Sequence, residues 1–196
     1  GGGELNDSVL INHLQKDHNL TKHWCSKTNI EALEKEDFYI VSNFVSLPSH
    51  IKSWLLNKKY IIYEHDHKYI KVRDASKYQN FDIPKDHIIN HEFYLKAEKV
   101  IVLSKICKDI LEKNNISNRV HNIGCSLWFD KTLDHLSVLN KTEKKYKFGV
   151  VDNQNPIKGF KQSMSYCNNS KIKPHLIKSN NYYDFFTVIC GNKCFE

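Results

Sequence analysis

The chain has 196 residues, 40% of them apolar and 26% charged, a make-up that supports one well-filled core, or one core and part of another. No run approaches the roughly 18 apolar residues of a membrane helix, so no transmembrane segment is expected and peripheral membrane contact stays open. The 29 Lys and Arg against 22 Asp and Glu leave a formal charge of +7, mostly lysine dispersed along the whole length, which favours phosphate-bearing ligands.

In chain order, Leu5, Val9, Leu10 and Leu14 share one helical face and predict a helix over 4–17. A short strand is expected over 18–24, a short polar helix over 29–35 and a strand over 37–42. Pro48 opens a helix that runs to Asn57. The β-branched and aromatic run Tyr60-Ile61-Ile62-Tyr63 reads as a strand that ends abruptly in Glu64-His65-Asp66-His67, four ionisable residues where an apolar strand leaves its sheet. Residues 68–85 lack a pattern, and a loop that long in a compact domain is usually functional or mobile. A helix is expected over 87–95, a buried strand over Val100-Ile101-Val102-Leu103-Ser104, a helix over 105–113 with Ile106, Ile110 and Leu111 on one side, and a strand over 120–124.

The stretch from 136 to 147 turns polar, and Asn140-Lys141-Thr142-Glu143-Lys144-Lys145 carries no apolar residue. It divides a domain of residues 1–140 from a linker, 141–147, and a second α/β start over 148–196. In that start, strands are expected over 146–151 and 175–178 and helices over 160–167 and 182–189. Strands alternating with helices imply crossover connections and a mostly parallel sheet with helices on both faces, a Rossmann-like α/β fold.

Several residue types invite chemistry. His65 and His67 alternate as metal ligands on a strand would, and Glu64 to His67 could serve a metal-dependent hydrolase, although no distant third ligand is marked out. His87 and His91 have helical i, i+4 spacing but lack the glutamate of a metalloprotease helix. The six cysteines are scattered and read as reduced thiols; Cys190 and Cys194 alone are closely spaced, and Cys125 beside Gly124 reads as a buried thiol. Trp24, Trp54 and Trp128 read as packing residues. No metal site is assigned. Neither helix-turn-helix patterning, aromatic residues inside a basic strand nor zinc-finger spacing occurs, so nucleic acid is not an expected partner. Without a secretion signal, the expected location is cytoplasmic.

The segment Ala97-Glu98-Lys99-Val100-Ile101-Val102-Leu103-Ser104, followed by a helix and Asn122-Ile123-Gly124, resembles the GT-B-type retaining glycosyltransferases that use nucleotide-activated sugars. Gly2-Gly3-Glu4 before a helix resembles their glycine-rich loop, Glu64-His65-Asp66 their histidine-aspartate after a mid-sheet strand, and Lys158-Gly159 the lysine-glycine that opens the first helix of the C-terminal domain. The resemblance implies an acceptor-side domain and an incomplete donor-side one. It implies transfer of a sugar from a nucleotide-diphosphate sugar to an unknown glycan, lipid or small-molecule acceptor, with no tightly bound cofactor. His65 and Asp66 would be catalytic; Gly2, Gly3, Glu64, Ser104, Gly124, Lys158 and Gly159 would hold the donor. The arginine usual about five residues before that lysine is here Asn153. A non-catalytic nucleotide- or sugar-binding module is the alternative from another functional class.

Overall fold

The structure, a computed structural model, describes residues 2–144, 146, 148–152 and 158–178. The expected helix over 182–189, Asn153, Cys190 and Cys194 lie outside the described residues. The chain divides into two compact units, Gly1–Leu127 and Trp128–Glu196. The division falls ahead of the polar stretch at 140–145 where it was expected.

The first unit is α/β and holds a four-stranded parallel sheet. Its elements are α1 (Gly2–Leu14), α2 (Ile30–Leu33), β1 (Tyr39–Val41), α3 (Ser49–Leu55), β2 (Tyr60–Tyr63), α4 (His91–Lys96), β3 (Lys99–Val102), α5 (Lys105–Lys113) and β4 (Val120–Asn122). The strands lie in sequence order, β1-β2-β3-β4, all parallel, with Tyr39 opposite Tyr60, Ile62 opposite Val100 and Val100 opposite Val120. In-register partners share a face. One face therefore presents Tyr39, Val41, Tyr60, Ile62, Val100 and Val102, all buried, against Ile51 and Leu55 of α3, Phe93 and Tyr94 of α4, and Ile110 and Leu111 of α5. Crossovers that step repeatedly in one direction place their helices on one side of a sheet, and that side is the core. The opposite face carries Ile40, Ile61, Tyr63 and Ile101, and α1 lines a cleft with them.

Capping explains several boundaries. Asn29 Oδ1 accepts from Ala32 N–H at 2.8 Å and Ser104 Oγ from Cys107 N–H at 3.3 Å, so each starts its helix. Pro48 directly precedes α3. Elsewhere the pattern misleads. Residues 18–24 form no strand, and in the first unit β1 pairs only with β2. The helix expected over 87–95 starts only at His91, because Ile88 and Ile89 are drawn into extended pairing with the loop: Ile89 N–H donates to Tyr69 O at 2.8 Å and Lys71 N–H to His87 O at 3.0 Å. On α5 the inward stripe is Cys107, Ile110 and Leu111, whereas Ile106 faces solvent.

The second unit holds α6 (Asp130–Asn140), β5 (Gly149–Val151), α7 (Phe160–Asn169) and β6 (His175–Ile177), with β5 and β6 parallel. Val150, Cys167 and Ile177 are its buried apolar residues among those described.

The two faces of the sheet predict opposite responses to truncation. Ile62→Ala should cost about 2–5 kcal/mol in urea unfolding, as expected for a filled core position. Ile40→Ala, on the open face, should stay within about 1 kcal/mol of the unsubstituted chain.

Candidate functional site

The carboxyl end of β2 carries two separate groups of polar side chains. The first is buried. Glu64 is 5% exposed and Lys68 2%, and Lys68 Nζ lies 2.7 Å from Glu64 Oε1. The same glutamate oxygen accepts the Asp66 N–H at 2.9 Å, and its other oxygen accepts the hydroxyl of Tyr94 from α4. Lys68 Nζ also reaches Asp66 Oδ1 at 2.7 Å and sits 5.5 Å from the centre of the Phe44 ring, while Arg73 takes the second Asp66 oxygen at 3.0 Å. Two charges taken out of water cost several kcal/mol each unless their lone pairs and protons are satisfied, and this carboxylate has three donors. Burial first, and then Glu64, hold the Tyr94 phenol well above its ordinary pKa, so it remains a donor. Glu64 is thus a saturated structural anion rather than a group open to a donor sugar, and Asp66 is largely engaged as its outer partner.

The second group faces α1. His65 Nε2 lies 2.9 Å from Asp7 Oδ1, and Ser42, just past β1, donates its hydroxyl to the same oxygen at 2.7 Å. A carboxylate can only accept, so the bond assigns a proton to Nε2; in the neutral ring Nδ1 is then the acceptor. Next to Asp7, Asn6 is buried and accepts from the Tyr63 hydroxyl, whose pKa is pushed up to about 12 by burial and then by Asp7. Gly3 lies beside the imidazole, since a Cβ there would stand 3.5 Å from the ring. Asp7, Asn6 and Ser42 were not legible as site residues. Their partners stand more than thirty positions away in the chain, so no local spacing marks them.

The other expected residues are placed as follows. Gly2 and Gly3 form the first turn of α1 instead of a loop before it, in keeping with Glu4 in that turn, which suits a helix N-terminus. Ser104 is the N-cap of α5 at the end of β3, its hydroxyl used by the Cys107 N–H. Gly124 follows β4 with φ +83°, a left-handed turn that favours glycine, and its N–H donates to Asn122 Oδ1 at 2.9 Å. In the second unit, Gly159 is the N-cap of α7 with φ +73°, and Lys158 directly precedes it. His65, Ser104 and Gly124 thus all follow strand ends on the same side of one parallel sheet.

The metal readings find no ligand set. His65 turns to Asp7 while His67 Nδ1 bonds the Tyr69 hydroxyl at 2.7 Å. His87 and His91 do not share a helix, and pair instead with Tyr78 and with the Asn115 carbonyl. Among the described residues no three His, Cys, Asp or Glu side chains gather as metal ligands. Cys125 is exposed, contrary to the expectation of a buried thiol, because the Gly124 turn carries it out of the sheet. Cys25, Cys107 and Cys167 are likewise free thiols. Trp54 packs edge-on against Tyr39 as expected of a packing residue, whereas Trp24 is 61% exposed with Lys22 Nζ over its ring. No helix among the described residues is long and apolar enough to cross a membrane.

Fold and site together define an α/β protein with a four-stranded parallel sheet and a histidine–aspartate pair at the strand ends. Comparison with protein-family models, with curated proteins and with solved structures finds no match in any of the three.

Two measurements check these assignments. Lys68→Met should cost about 3–5 kcal/mol in urea unfolding by leaving Glu64 buried and unpaired, and Glu64→Gln added to it should restore part of the loss. His67 has its pKa lowered from the ordinary 6.5, chiefly by burial. Its neutral form is thus the one the fold favours, and its contribution is complete above pH 6.5 and lost as pH falls toward the lower folded value. The urea midpoint should therefore drop more between pH 7.5 and 5.5 in the unsubstituted chain than in His67→Gln.

Proposed function

We propose that this chain is the acceptor-side domain and the beginning of the donor-side domain of a GT-B-type retaining glycosyltransferase with a Rossmann-like fold. The observation that supports this reading is the position of His65. It stands at the carboxyl end of a parallel strand, its ring fixed by Asp7 and flanked by Gly3 in the first turn of α1. Ligands of open parallel α/β sheets bind beyond those ends, where backbone N–H groups and helix N-termini favour phosphate.

In the transfer, the bond between the sugar's anomeric carbon and the diphosphate oxygen breaks and the acceptor hydroxyl oxygen bonds to that carbon. The hydroxyl proton leaves with the diphosphate. His65, its ring held by Asp7, hydrogen-bonds a sugar or acceptor hydroxyl through Nδ1 and orients it. Asp66, tied to Lys68 and Arg73, contributes through the shape of the loop. Considered by itself, the second unit offers Lys158 and the N–H groups that start α7, positive charge of the kind that the resemblance assigns to a diphosphate. Ser104 and Gly124 shape the ends of β3 and β4.

Calorimetric titration of the full chain with UDP-, GDP- and ADP-sugars tests the reading. One of them should bind, Lys158→Ala should weaken it about tenfold through the lost charge-assisted contact, and Asp7→Asn should leave binding intact while slowing transfer about a hundredfold. Binding with neither transfer nor sugar hydrolysis would favour a non-catalytic binding module. The absence of binding to all three would exclude both readings.

A further inference from the structure

The sheet face turned away from the core is not closed by packing. Between that face and α1, together with the residues that follow α1, lies a cleft of about 1180 Å³. Its size lies just above that of most sites that enclose small molecules, roughly 300–1,000 Å³. Its floor is a row of isoleucines on three neighbouring strands, Ile40, Ile61 and Ile101, and its wall is the apolar side of α1, including Leu10 and Leu14. None of these five is fully buried, and Ile40 is 38% exposed.

The same cleft is also lined by Asp7 and Ser42. Those two side chains meet at one carboxylate oxygen, which also holds His65. One cavity thus joins an apolar trough to the polar group at the strand ends. The cleft is also lined by His13, His18, Lys22, His23, Glu36 and Asp37, but a guest that uses both the isoleucine row and the polar group at the strand ends is apolar along part of its length and hydroxylated at one end. A wholly polar sugar would leave the isoleucine row wet, and a plain hydrocarbon would make no use of the polar group that Asp7, Ser42 and His65 form at the strand ends. An α-helix, 10–12 Å across with its side chains, would use up the volume within about three turns and bring no hydroxyl head.

We propose that this cleft binds the single hydrocarbon chain of an amphiphilic acceptor and presents the acceptor's hydroxyl head to the Asp7–His65 pair. The assignment of the head as acceptor rests on the glycosyl-transfer reading; binding of the chain does not. Each methylene that leaves water contributes about fourfold in affinity, so affinity should climb with chain length until the trough is filled.

The probes are methyl, octyl and decyl β-glucoside, each below its micelle concentration, titrated calorimetrically into the full chain without nucleotide. Decyl glucoside, two methylenes longer, should bind roughly fifteenfold more tightly than octyl glucoside, and methyl glucoside should give no heat. Ile40→Lys, on an exposed edge-strand position, and Leu14→Lys, on the last turn of α1, should each weaken decyl glucoside at least tenfold while keeping the circular dichroism spectrum. Two substitutions on opposite walls guard against either one failing to fold.

Equal affinity for methyl and decyl glucoside, no binding of any of the three, or decyl glucoside binding undiminished in the folded variants would each overturn the proposal. Nucleotide-sugar binding is read in a separate titration. Its failure alongside intact lipid binding would remove the transfer reading and leave the lipid site standing, and the reverse result would remove the lipid site alone.

Discussion

At the end of β2 a carboxylate leaves an apolar strand and enters the protein interior, and the first unit is arranged around keeping it charged there. Lys68 supplies the counter-ion, Tyr94 a hydroxyl and Asp66 a backbone N–H, so both oxygens of Glu64 are occupied. Each partner fixes a different part of the chain. The lysine draws the loop after β2 back over Phe44, and its own carbonyl accepts from Asn90 just ahead of α4. The tyrosine ties α4 to the sheet. A stretch without regular periodicity is thereby held in one conformation by a charge that cannot be left alone in a medium of low polarity.

With Glu64 committed to the interior, the groups left for chemistry are those that face α1. That helix docks on the strand ends through polar side chains, Asn6 to Tyr63 and Asp7 to Ser42 and His65, while its apolar residues border the open sheet face only loosely. Amphipathic helices usually seat the apolar stripe and leave polar residues outside. Here the one buried residue of α1 is an asparagine. The arrangement fixes a histidine's orientation and leaves an apolar trough beside it. Sites that must both position a hydroxyl and accommodate a chain need that combination.

Much of the fold was legible in the sequence. The strands at 60–63 and 100–102 and the helices at 105–113 and 160–167 are short-range signals of side-chain alternation, capping and helical spacing, and they stand where the pattern puts them. The chemical meaning of 64–67 was legible only as a concentration of charge. That concentration turned out to be two things, because the strand exit sends alternate side chains in opposite directions: Glu64 goes inward to Lys68 and Tyr94, and His65 goes toward α1. The helix expected from 87 was decided by a neighbour distant in sequence, Tyr69, whose carbonyl takes the Ile89 N–H, while residues 18–24 form no strand and Ile106 faces solvent.

The sequence by itself determined an α/β chain with crossover connections, the order of its elements and the strand end at which polar groups collect, since these follow from periodicities of two and 3.6 residues and from the side chains that start and stop them. Only the tertiary structure decided which of those polar groups is buried as an ion pair and which is held ready at the strand ends. That choice depends on Tyr94, 30 positions from Glu64, and on Asp7, 58 positions from His65. Burial and pairing are properties of what surrounds a residue in space, and no local pattern records them.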